Sequence, residues 1–166
     1  MGVNAQARVR HVPARTGRSF AVLGQGVTLL DEPADNGDAL MLFEVRTPSG
    51  GMVPPHTEDN HEAFYVIEGI FELEVEGELF RCGAGDFLSI QPGTVHSFRN
   101  AGPGWARMLT LTSPGSQHQR FFESLGEPLE PGADPPPLTG PPDFERVDRL
   151  GRESGIHFLP PPAAGG

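Results

Sequence analysis

Two short segments concentrate the side chains able to do chemistry: Pro55-His56-Thr57-Glu58-Asp59-Asn60-His61-Glu62 and Gln91-Pro92-Gly93-Thr94-Val95-His96. His56 and Glu58 are two apart, so on an extended backbone their side chains face the same way. Glu62 opens a strand-like run to Ile67, and His96 opens another after a Pro-Gly turn signal. Imidazole nitrogens and carboxylate oxygens gathered from separate strands are ligands for a divalent transition metal. His56, Glu62 and His96 form a two-histidine, one-carboxylate set that suits non-haem Fe(II), or zinc with a bound water. Glu58 as a fourth ligand would complete neutralisation of a divalent ion and shift the preference toward Mn, Fe or Zn and away from copper, within an expected set of Fe, Mn, Ni or Zn. Left unbound, Glu58 is a proton acceptor beside the metal. With no metal at all, the two inward carboxylates need hydrogen-bond partners or raised pKa values. His61 neighbours Glu62 and points the other way on a regular strand; only a bulge would bring it inward. His11, His118 and His157 fall in an arm, a helix and a tail, where solvent-exposed roles are expected.

The elements that must position these residues are short strands divided by Gly, Pro and Asn/Asp turns, the pattern of an all-β sandwich or barrel. They are expected at Val27–Leu30, Leu40–Val45, Glu62–Ile67, Phe71–Glu76, Leu79–Arg81, Phe87–Ile90, His96–Asn100 and Ala106–Thr112. In Phe71–Glu76 the apolar set Phe71, Leu73, Val75 alternates with Glu72, Glu74, Glu76, which gives one core face and one wet face. Phe64, Val66 and Phe98 share the parity of the site residues on their strands and are candidates for a pocket wall or for plain core. Arg99 faces outward. Residues 1–18 form a polar arm, either disordered or donated to a partner subunit. Residues 19–115 form the barrel, and 116–166 form an extension with a Pro-rich linker. Gln117–Leu125 reads as a helix ending at Gly126. Asp143 caps a second helix over Phe144–Glu153, and Ile156–Leu159 is able to dock as an edge segment.

Composition removes several classes. The 166 residues suit one domain with a core. A net charge of −10 argues against nucleic acid or an anionic membrane as partner. All twelve basic residues are arginine, so Schiff-base and lysine general-base chemistry are excluded. The single Cys82 forms neither an intrachain disulfide nor a zinc cluster and reads as a small buried side chain. No secretory signal or membrane-length apolar run is visible, which makes the cytoplasm the expected location.

Gly50, His56, Glu62 and Gly69 stand in the register of the first motif of the cupin superfamily, with Glu58 where a second histidine is usual. Gly85, Gly93, His96 and Asn100 match the second motif, with Gln91 replacing its usual proline. The chain thus resembles a single-domain cupin similar to quercetin dioxygenases. The resemblance implies a double-stranded β-helix, or jelly-roll, barrel with a divalent metal at His56, Glu58, Glu62 and His96. It implies a small-molecule substrate and a homodimer. The activity expected is a dioxygenase on an aromatic or phenolic compound, with Glu62 or Glu58 taking the substrate's proton. A metal-independent isomerase or cyclase, and a non-catalytic ligand-binding barrel, are the alternatives.

Overall fold

The computed structural model describes residues 9–160. Twelve strands and three helices follow one another as β1 (Ser19–Val22), β2 (Gln25–Asp31), α1 (Pro33–Asn36), β3 (Met41–Thr47), β4 (Met52–Glu58), β5 (His61–Glu68), β6 (Ile70–Val75), β7 (Glu78–Gly83), β8 (Phe87–Ile90), β9 (His96–Asn100), β10 (Ala106–Ser113), α2 (Ser116–Leu125), β11 (Glu127–Leu129), α3 (Phe144–Glu153) and β12 (Ile156–Phe158). A seven-stranded sheet runs in the order β11-β1-β2-β3-β10-β5-β8, and a five-stranded sheet in the order β12-β4-β9-β6-β7. This is a mainly β fold of two antiparallel sheets facing each other across a barrel interior.

Period-2 patterning decides what faces inward. Along β3, Met41, Phe43, Val45 and Thr47 are buried while the residues between them are not. Along β6, Phe71 and Leu73 are buried, and Glu72 on the other face pairs with Arg81 at 2.8 Å and with Arg99. Cys82 is buried, and burial followed by the charge of Asp86 pushes its thiol pKa up.

Two glycines with positive φ turn the hairpins. Gly69, between β5 and β6, has φ +82°, and a Cβ there would lie 2.6 Å from the Ala106 Cβ. Gly77, between β6 and β7, has the same φ but nothing within 4 Å. Asn100 ties the end of β9 to two loops: its amide donates to Thr47 O at 2.9 Å and Gly104 O at 2.6 Å, and its Oδ1 accepts from Gly102 N at 2.9 Å.

Several elements differ from the sequence expectation. β4 is a strand despite Pro54 and Pro55, because its pairing with β9 shifts register between Val53 and His56 and the prolines sit at that irregularity. β1 and β2 are joined by the tight turn Leu23-Gly24. The first eight residues of the expected arm lie outside the described residues. From position 10 onward the arm lies on its own barrel, with Arg10 donating to Leu30 O at 2.7 Å and pairing with Glu32 and Asp35. The Pro-rich linker is extended, and its first residues pair with β1 as β11. β12 docks on β4, so the C-terminal extension adds a strand to each sheet. Helix α3 is capped by Asp143, whose side chain accepts from Arg146 N.

The contrast between the two glycines is testable. Gly77→Ala meets only the left-handed backbone penalty and costs about 1–2 kcal/mol. Gly69→Ala adds overpacking against Ala106 and costs roughly 2–4 kcal/mol in total, read from urea unfolding.

Candidate metal centre

His56 and His96 are register partners on the neighbouring strands β4 and β9. Glu58 follows on β4, and Glu62 reaches across from β5 in the opposite sheet. The four offer donor atoms that all lie within 4.8 Å of one another, and all four residues are buried. The two imidazole centroids are 4.2 Å apart.

Each ring is oriented by the carbonyl two residues before it. His56 Nδ1–H donates to Pro54 O at 2.8 Å, and His96 Nδ1–H donates to Thr94 O at 2.9 Å. A carbonyl only accepts, so Nδ1 carries the proton and Nε2 is turned inward. His56 Nε2 then presents its lone pair to Glu58 Oε1 at 3.1 Å. His96 Nε2 lies 3.0 Å from Glu62 Oε2. Lone pairs at such distances repel unless a positive charge sits between them. Glu58 Oε2 is buried and has no hydrogen-bond partner among the described residues. A divalent cation satisfies all of these at once, and the donor set fits one with a preference for mixed nitrogen and oxygen ligands.

In the metal-free protein a proton takes that place at His96. Burial alone would lower its pKa, but the hydrogen bond and charge of Glu62, with Glu58 behind it, push it up to about 9 from 6.5. At Glu58 burial alone would raise the pKa, but in the metal-free site the charge and Nε2–H hydrogen bonds that His118 and then His56 supply when protonated outweigh it, holding the carboxyl well below its ordinary 4.5.

His118 corrects the sequence expectation of a solvent-exposed histidine. It is buried on α2, with Nε2 3.1 Å from Glu58 Oε1 and 3.6 Å from Glu62 Oε1. Its ring packs near Phe43 and Phe122. Asn60 Nδ2 donates to Pro114 O at 3.0 Å and to His118 Nδ1 at 3.3 Å. Burial opposes a charge on His118, and the two carboxylates pull its pKa up against that. His118 thus serves as a hydrogen-bond donor to Glu58 and lies outside the four-residue donor cluster. A signal for it was present: residues 118, 121, 122 and 125 form the buried face of α2 at helical spacing, with one polar member among Phe121, Phe122 and Leu125.

The other candidates fall elsewhere. His61 begins β5 opposite Ser113, half-buried and outside the cluster. His157 is exposed and contacts Asp59 at 3.2 Å. Phe64 and Phe98 line the inner cavity, and Val66 is buried core away from it. That cavity measures about 70 Å³ and is bounded by Glu58, Glu62 and His118 with an apolar wall that includes Phe121 and Phe158.

Comparison with known proteins places this geometry in a family. A model of the cupin domain matches residues 43–112. The chain carries a cupin domain. It is 30% identical over 139 residues to quercetin 2,3-dioxygenase of Bacillus subtilis, an alignment covering 81% of this chain and 40% of the relative. It is 38% identical over 66 residues to polyketide synthase CurC of Streptomyces cyaneus, covering 39% of this chain and 43% of the relative. The chain therefore spans about two fifths of the length of these curated relatives. Among solved structures, an RmlC-like cupin from Shewanella frigidimarina superposes with a TM-score of 0.56 at 19% identity, covering 66% of this chain and 97% of that one. No helix in the described part of this chain is long and apolar enough to cross a membrane.

Two outcomes follow from the site. In chelator-treated protein, the contribution of His96 to stability is full below pH 6.5 and is lost as pH rises through about 9, because its folded pKa is the raised one. The contribution of Glu58 is present above its ordinary 4.5 and is lost only in stronger acid. Thermal midpoints across pH check this, and metal-loaded protein should lack the alkaline loss. His118→Ala should keep one metal per chain at saturation but weaken metal affinity about 10–100-fold, as loss of an outer partner does, measured by chelator competition.

Proposed function

We propose that the protein is a metal-dependent small-molecule enzyme of the cupin type, a dioxygenase acting on an aromatic or phenolic substrate. The observation that carries the metal reading is the inward pair of Nε2 atoms, each held by a backbone carbonyl behind it and facing a buried carboxylate in front. His56, Glu58, Glu62 and His96 would hold Fe, Mn, Ni or Zn. A divalent ion bound there supplies Lewis acidity and, for the redox metals, a path for electrons between substrate and dioxygen.

The chain's own residues divide the remaining work. Glu58 is kept ionised by His118 and His56, which makes it a poor proton acceptor and a good ligand. Glu62 uses Oε2 toward His96 and leaves Oε1 at the cavity wall, 3.6 Å from His118 Nε2. Oε1 is the atom we assign to receive the proton of a phenolic hydroxyl. Phe64, Phe98, Phe121 and Phe158 keep the wall apolar and water out. The aromatic substrate is supported by likeness to quercetin dioxygenase.

A second reading, a metal-independent cyclase or isomerase, is favoured by likeness to the polyketide synthase relative and by the proton on His96, which offsets one buried carboxylate. Elemental analysis of freshly purified protein separates the two. Stoichiometric Fe, Mn, Ni or Zn is expected, and His96→Ala should lose most of it while keeping the wild-type circular dichroism spectrum. Full metal content in that variant would discard the assigned ligand set. Oxygen consumption with a panel of phenols and flavonols, after reconstitution with each metal, then tests the reaction. No uptake with any combination would count against a dioxygenase and leave a binding barrel or a cyclase.

A further inference from the structure

The inner cavity is too small for the substrate class just proposed. At about 70 Å³ it is less than half the roughly 150 Å³ that accommodates a benzene ring in an engineered protein cavity. Directly beside it lies a surface groove of about 840 Å³, within the range of roughly 300–1,000 Å³ typical of small-molecule sites. The two share a wall at Leu23, which lines both. Strand alternation continues the partition: Val53 of β4 lines the inner cavity, while Met52 and Pro54 line the groove. At the other edge Phe158 lines the cavity, and Leu159 and Pro160 line the groove.

The groove has a distinct chemistry. In a chain of net charge −10, no ionisable side chain lines it among the described residues. Seven prolines do, from Pro48 on the barrel side through Pro142 in the linker to Pro160 after β12. Met52, Trp105, Leu138 and Phe144 stay exposed along it. Proline has a fixed φ and little freedom to lose, so the wall is stiff before a ligand arrives and ordering it on binding costs little. Such a surface suits a flat, uncharged, multi-ring molecule. It offers a carboxylate or a phosphate nothing.

Leu23 itself is held against its backbone preference. It occupies φ +52° at the first position of the β1–β2 turn, a place where glycine or asparagine is at ease and a branched aliphatic residue is strained. Its side chain is partly buried against the core, between the two spaces.

We propose that the groove is the outer half of the substrate site and seats the apolar body of a multi-ring aromatic substrate, whose reacting end passes Leu23 into the cavity beside Glu58 and Glu62. This rests on the aromatic-substrate reading above and adds to it a seat built from this chain's own Pro-rich linker.

Trp105 is the single tryptophan and lines the groove, so its fluorescence reports occupancy directly. The probe is 3-hydroxyflavone, titrated into full-length chelator-treated protein so that neither turnover nor metal coordination contributes. Saturable quenching of Trp105 is expected. Leu138→Glu and Met52→Glu, both at exposed positions, should each raise the dissociation constant at least tenfold, with metal uptake after reconstitution unchanged. Equal affinity in both variants and wild type overturns the proposal. So does absence of quenching together with a change of oligomeric state in the variants by analytical ultracentrifugation, which assigns the groove to a second copy of the chain. Absence of bound metal with quenching intact would sink the metal reading while leaving the groove as the ligand seat.

Discussion

Two carboxylates buried inside the barrel require a positive charge between them and the rings they face, and the rest of the site is arranged around that requirement. Removing a carboxylate from water without compensation costs several kcal/mol or more. The chain keeps two within reach of one another, Glu58 and Glu62, and aims His56 and His96 at them. Ring orientation is set locally, by Pro54 O and Thr94 O, each two residues before its histidine. The convergence of the rings is set by sheet pairing, since His56 and His96 stand opposite each other across β4 and β9. Local hydrogen bonding thus chooses the tautomer, and long-range pairing chooses the distance. A proton on His96 and a divalent metal are competing answers to the same electrostatic demand.

The polar partners of that centre come from more of the chain than the barrel motifs alone. Helix α2 enters through His118, which donates to Glu58, and is itself seated by the edge-on contact of Phe122 with Phe43 at 5.0 Å. β12 pairs with β4 opposite Glu58 and His56 and brings Phe158 to within 5.4 Å of the His56 ring. The C-terminal extension therefore does two things with one set of contacts. It closes the apolar core over the centre, and it supplies the donor that keeps Glu58 ionised.

Much of the architecture was legible because half-buried strands announce themselves by alternation, as in Phe71, Leu73 and Val75 against Glu72 and Glu74. The same-side placement of His56 and Glu58 followed from strand parity. β4 escaped as a strand because Pro54 and Pro55 oppose ladder pairing, and a register shift that accommodates them leaves no mark in local sequence. The exposed reading of His118 failed for a different reason. A lone histidine on a polar-looking helix is ordinary at the surface, and its position on the apolar face of α2 acquires meaning only when that face is seen packed against β3 and the site. The turn at Leu23 was likewise silent, since neither pairing nor composition there reveals a positive φ.

The small inner cavity is the complement of these choices. Each aromatic side chain that excludes water from the carboxylates also takes volume from a ligand, so strong electrostatics and room for a large substrate oppose each other inside one barrel. A chain that needs both can keep the charged centre dry and narrow and place the bulk of recognition outside it. The partition across Leu23 has that form: ionisable groups on one side and proline, methionine and tryptophan on the other, separated by a single strained turn. On this view the Pro-rich linker is the apolar half of a divided site, and its lack of regular structure is compatible with rigidity because proline supplies the stiffness that hydrogen bonding does not.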